Sequence, residues 1–206
     1  MNRTAFSLPE KSEYRTRGGL AVTRAVEQFT GDAKRLDDLI DLLDRRRGVV
    51  LSSGTTVPGR YESFDLGFSD PPLQLETKGA DFSLAALNAR GEVLIAFLGD
   101  ALREPCVVIT EKSEKSLKGH IVRGAAPVDE DQRTRRASVM SLVRDLVAAL
   151  GANDDPLLGL FGAFAYDLVF QIEDLVQKRA READQRDIVL YVPDRLLAYD
   201  LSLIHI

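Results

Sequence analysis

The sequence is short of the side chains that build metal and thiol centres. Its 206 residues include one cysteine, Cys106, and two histidines, His120 and His205. A lone cysteine cannot close an internal disulfide or supply a thiolate-rich zinc site, and two histidines leave few routes to a histidine metal centre or a catalytic triad. No apolar run reaches the roughly 18 residues of a membrane span. Positive charge is not in excess either, with 27 Lys and Arg against 32 Asp and Glu and a net charge of −5. That balance lacks the basic field that nucleic acid or an anionic membrane requires, so neither is an expected partner. Residues 1–12 carry Arg3, Glu10 and Lys11 with no apolar stretch between them, which is not a secretory signal. A cytoplasmic location is expected. No internal repeat or low-complexity tract is present.

What is there is an ordinary globular composition, 45% hydrophobic and 29% charged, with chain enough to bury a core. After Gly18-Gly19, a first strand is expected over residues 20–29. Asp32 then caps a helix whose stripe is Leu36, Leu39, Ile40 and Leu43, closed by Arg45-Arg46-Arg47, cations suited to a helix C-terminus. Short strands are expected at 49–53, 61–68, 73–77, 82–88 and 107–110, and a helix at 92–103. The charged stretch 111–119 reads as a surface loop or hairpin end. The clearest helix spans 129–150, with Val139, Leu142, Val143, Leu146 and Leu150 on one face. The apolar run 157–166 suits a central strand or strand pair, with Gly159 and Gly162 marking close backbone approach. A helix over 170–178 and a hairpin of 187–192 with 195–200 about Pro193-Asp194 complete the reading. Strands in runs rather than strict βαβ alternation predict an α+β fold.

Residue by residue, little chemistry is offered. The segment 48–54 lacks the lysine of a phosphate loop. Cys106 reads as a small buried apolar residue, His120 as a surface or structural histidine, Asp154-Asp155 as a turn pair before Pro156, and Glu173-Asp174 as a solvated helix face. No catalytic set and no metal-ligand set is identified.

Three segments change the picture. Residues 49–73 (VVLSSGTTVPGRYESFDLGFSDPPL), 159–174 (GLFGAFAYDLVFQIED) and 187–200 (DIVLYVPDRLLAYD) together resemble the N-terminal region of anthranilate synthase component I. The likeness is nearest to the fused form, in which synthase and glutamine amidotransferase share a chain, and it runs from about Tyr14 to Asp200. The resemblance implies a sheet-rich, orthogonal β-sandwich-like core with flanking helices, cut before the chorismate-binding half. It implies a parent enzyme that converts chorismate and glutamine-derived ammonia into anthranilate and pyruvate, with magnesium, in tryptophan biosynthesis. The magnesium and chorismate residues belong to the missing half, so this chain is expected to bind no magnesium and to be inactive alone. The expected partners are the chorismate-binding domain, a glutamine amidotransferase domain or subunit, and tryptophan as feedback ligand.

The same resemblance maps the tryptophan contacts onto Ser52, Ser53 and Ser63. Here the chain departs from the family. Ser52 stands where a glutamate would meet the ligand's ammonium, Ser63 where a cation is common, and Phe64 where fused enzymes carry tryptophan. A hydroxyl forgoes the charge-assisted part of such a bond, about 1 kcal/mol or more. Arg60, Glu62 and Asp65 are candidates to compensate, and Ser52 and Ser53 as plain strand-end hydrogen bonders remain the alternative. The domain expectation is a tail over 1–13, one incomplete domain over 14–200, and a non-native sequencing scar at 201–206 (LSLIHI), which also removes His205 from consideration. Two rival functions stay open: an aminodeoxychorismate synthase fragment, and a stand-alone amino-acid-binding module.

Overall fold

Leu73 and Leu75 alternate with Gln74 and Glu76, and Phe82 and Leu84 with Ser83 and Ala85, the period of strands that bury one face. The computed structural model builds a sheet around these two segments. It describes residues 9–29, 34–52, 64–122, 136–153, 155–173 and 175–200. In chain order the elements are β1 (Lys11–Arg15), β2 (Ala21–Ala25), α1 (Lys34–Leu43), β3 (Gly48–Leu51), β4 (Phe64–Ser69), β5 (Leu73–Lys78), β6 (Asp81–Ala86), α2 (Ala89–Ala101), β7 (Val107–Lys112), β8 (Ser116–Ile121), α3 (Val139–Leu150), β9 (Phe161–Phe164), α4 (Val169–Ile172), β10 (Ile188–Val192) and β11 (Leu197–Asp200).

The α+β expectation holds. Six strands form one antiparallel sheet in the order β7-β8-β6-β5-β10-β9, three form a second in the order β11-β4-β3, and β1 pairs with β2 as a hairpin. One face of the large sheet carries the core, where Leu84 and Leu117 are fully buried beneath Ile95 and Leu98 of α2 and Leu142 and Leu146 of α3. Its other face meets the small sheet through aromatic edges. Phe68 of β4 lies 6.0 Å from Phe161 of β9 and 6.1 Å from Tyr191 of β10, centroid to centroid, both edge-on.

Local chemistry fixes the helix starts. Asn88 caps α2 by accepting from the Arg90 and Gly91 N–H groups at 3.0 and 3.2 Å. Ser138 caps α3, accepting from Met140 N–H while Ser141 Oγ accepts from Ser138 N–H. The far end of α3 is closed by the hairpin turn, since Arg17 N–H reaches Gly151 O at 2.8 Å and Gly18 N–H reaches Ala149 O at 2.9 Å.

Several expectations are corrected. The strand expected over 20–29 is β2, and its partner β1 begins at Lys11, inside the stretch read as a tail. The helix expected from 129 starts at Val139, because the Ser138 cap sets its first turn; residues 123–135 lie outside the description. Of the two readings of 111–119, the hairpin end holds and the surface loop does not: the stretch joins the end of β7 to the start of β8, a strand with Leu117 fully buried. The run 157–166 gives β9, an edge strand rather than a central one. A Cβ on Gly162 would collide with the Val189 carbonyl oxygen, so the close approach expected there is real, whereas a Cβ on Gly159 would meet nothing nearer than 3.7 Å. The helix expected over 170–178 ends at Ile172. Most instructive is the expected hairpin about Pro193-Asp194. Its arms, β10 and β11, join different sheets, so the turn passes the chain from one sheet to the other.

Candidate functional site

The segment that carries Ser52 begins as β3, the edge of the three-stranded sheet. Val50 pairs with Gly67 and Leu51 with Leu66, so one step further along Ser52 comes level with Asp65. On the other side of β4, Asp65 pairs with Tyr199 of β11. Residues level across a sheet share a face, so Asp65 and Tyr199 stand on one side, with Ser52 just past the end of β3. That side is the one covered by α1, since a Cβ on Gly67 would lie 2.5 Å from Leu39 Cδ2. Ser52 is exposed at the strand end, while Asp65 is only 6% exposed. A buried carboxylate near an exposed strand end is an acceptor suited to a cation such as an ammonium. Ser53 and Ser63, with Arg60 and Glu62, lie outside the described residues.

Beyond Asp65, buried carboxylates include Asp187 and Asp155, neither singled out as a site by sequence. Asp187 is fully buried and accepts from Gly79 N–H at 2.6 Å, Gln171 Nε2 at 2.8 Å and Arg181 Nη2 at 2.6 Å. Its three donors come from the β5–β6 turn, α4 and the irregular stretch before β10, so it ties that stretch to the large sheet. Asp155, 6% exposed, does accept from Leu157 N–H at 3.0 Å in the manner of a turn residue. It also accepts from the Tyr14 hydroxyl and pairs with Arg24 at 3.2 Å, fastening the β1–β2 hairpin to the loop after α3. Asp154 lies outside the described residues. The only sequence signal for either role was a carboxylate beside an apolar run, which does not reveal a partner distant in the chain.

The remaining candidates have structural settings. Cys106 is a free thiol packed against the core, and His120 sits on β8, half-buried and level with Asp81. Glu173 follows α4 at its C-terminus rather than lining a helix face. Among the described residues no three His, Cys, Asp or Glu side chains converge to hold a metal ion. Among them, too, no helix is long and apolar enough to cross a membrane.

No family model matches the sequence. Individual relatives do. Over 193 residues, 94% of this chain, it is 44% identical to the anthranilate synthase of Azospirillum brasilense. This chain is similar to anthranilate synthase. The likeness to component 1 of anthranilate synthase recurs at 29% identity over 75% of the chain in Escherichia coli, and at 27% over 95% in the pyocyanine-specific component 1 of Pseudomonas aeruginosa. The matched stretch is 26%, 30% and 33% of those proteins, so the chain spans about a quarter to a third of the anthranilate synthases it matches.

Proposed function

We propose that this chain is the N-terminal, regulatory part of an anthranilate synthase of the fused kind, and that it carries the tryptophan feedback site. The observation behind this reading is the 44% identity sustained over 94% of the chain. The matched stretch is a smaller share of that relative than of the component 1 proteins, as a synthase carrying an additional domain would give. In the parent enzyme, chorismate and ammonia derived from glutamine become anthranilate and pyruvate. Magnesium, bound outside these residues, would supply charge neutralisation for that chemistry.

In this reading tryptophan lies at the open end of the three-stranded sheet, in contact with Ser52, Ser53 and Ser63. The exposed Ser52 supplies a neutral acceptor for the ligand's ammonium, and Asp65, level with it, supplies the negative charge that Ser52 lacks. Tryptophan then inhibits by binding one arrangement of this region and the chorismate domain better than the other.

The test is a chimera in which this chain replaces the matching 193 residues of the Azospirillum brasilense enzyme. The chimera should form fluorescent anthranilate from chorismate, magnesium and glutamine, and tryptophan should inhibit it. The isolated chain should form none. A chimera that is soluble but makes no anthranilate would overturn the reading, and one that instead makes aminodeoxychorismate would assign the chain to that relative.

A further inference from the structure

The two edges of the six-stranded sheet are finished differently. An open edge is a template for pairing with another chain, and proteins blunt it with charge, irregular register or cover. Strand β7 has these devices. Its end carries Glu111 and Lys112, which pair with Lys118 at 3.1 Å and Asp100 at 3.2 Å, and its register slips between Ile109 and Glu111. Strand β9, at the opposite edge, reads Phe-Gly-Ala-Phe, with no charge and no proline.

The apolar face of the sheet also runs on past its cover at this edge. Phe164 of β9 is level with Ile188 of β10, so both side chains stand on the side where α2 and α3 pack. Ile188 is 1% exposed beneath those helices, and Phe164 is 52% exposed. Tyr166, two residues on, is 91% exposed. Among the described residues no strand pairs with the outer side of β9. Along with this, the chain matches 94% of itself but only 26% of its Azospirillum relative, so most of that polypeptide has no counterpart here.

We propose that the outer edge of β9 receives an extended segment from the part of an anthranilate synthase polypeptide that this chain does not match, adding a strand to the six-stranded sheet and covering Phe164 and Tyr166. Such strand addition gains main-chain hydrogen bonds from the edge and specificity from alternate side chains. The occupant is the unmatched polypeptide because β9 lacks the devices that keep β7 solitary, and because its exposed ring continues the sheet's own core face. This proposal rests on the family reading above.

Hydrogen exchange on the isolated chain and on the chimera tests it. The amides of β9 that face outward, away from β10, should exchange about tenfold or more slowly in the chimera than in the isolated chain. Phe164→Lys and Tyr166→Lys should lower the unfolding temperature of the chimera and leave that of the isolated chain unchanged. Val93→Lys, on a 61% exposed position of α2, should change neither. Equal exchange in both proteins, or Lys variants without effect on the chimera, would overturn the proposal even if the chimera makes anthranilate, in which case the family reading stands. Slow exchange in the isolated chain accompanied by dimerisation in sedimentation would make a second copy the occupant and also overturn it. A chimera that never accumulates as soluble protein would count against both readings.

Discussion

Each of the four inner strands of the large sheet places at least one side chain no more than 5% exposed in a single shared core, whereas in the three-stranded sheet Phe68 is the one side chain so buried among the described residues, and Leu39 of α1 backs the sheet. The large sheet is covered by two capped helices and fastened by buried carboxylates. The small one is short, open at the end where Ser52 lies, and carries the buried carboxylate of Asp65 on the α1 side. Local stability follows buried apolar contact, so the first region holds the fold and the second is free to respond to a ligand.

The largest expected effects therefore lie in the large sheet. Asp187→Ala would leave Arg181 without its buried carboxylate and two further donors without an acceptor, a loss of about 4 kcal/mol in denaturant unfolding. Leu84→Ala, at a fully buried position, should cost about 3 kcal/mol by the same measurement. Neither should change the tryptophan affinity of the molecules that remain folded. If either did, the two sheets would not be separate in function.

The small sheet should show the reverse pattern. In the chimera, Ser52→Glu should tighten tryptophan inhibition by about tenfold, equivalent to about 1.4 kcal/mol, with little change in unfolding temperature. Ser53→Ala should loosen it. Inhibition curves that superimpose would leave these serines as strand-end hydrogen bonders. The smallest effect belongs to the surface of the large sheet. Lys118 and Glu111 are about half exposed, and Lys118→Ala should cost less than about 0.5 kcal/mol.

How much of this was legible follows the same division. Strands β5 and β6 and the body of α3 were readable because their apolar period is clean, whatever the distance to their partners. Strand β8 was hidden because Leu117, Gly119 and Ile121 alternate with Lys118 and His120 inside a charged stretch, and net polarity masked the period of two. The turn at Pro193-Asp194 was visible, but a turn residue does not say which sheet its arms will join. Here Asp194 pairs with Arg90 at the start of α2 and β11 crosses to β4, neither of which a local pattern encodes. At the candidate site, the strand bearing Ser52 was legible, while the level placement of Asp65 and Tyr199 required the register. Buried Asp155 and Asp187 depend on partners up to 141 residues away, beyond any local signal.

The sequence contains no tryptophan, so with excitation at the red edge, beyond tyrosine absorption, the emission of added tryptophan can be followed without competing protein indole. Titrating the isolated chain into a fixed tryptophan concentration and recording anisotropy is the most direct test of the central claim that the three-stranded sheet carries an amino-acid site. The account predicts a saturable rise in anisotropy, reached at lower protein concentration for Ser52→Glu and at higher for Ser53→Ala. An anisotropy that stays at the value of free tryptophan for the wild-type chain and for both variants would contradict it.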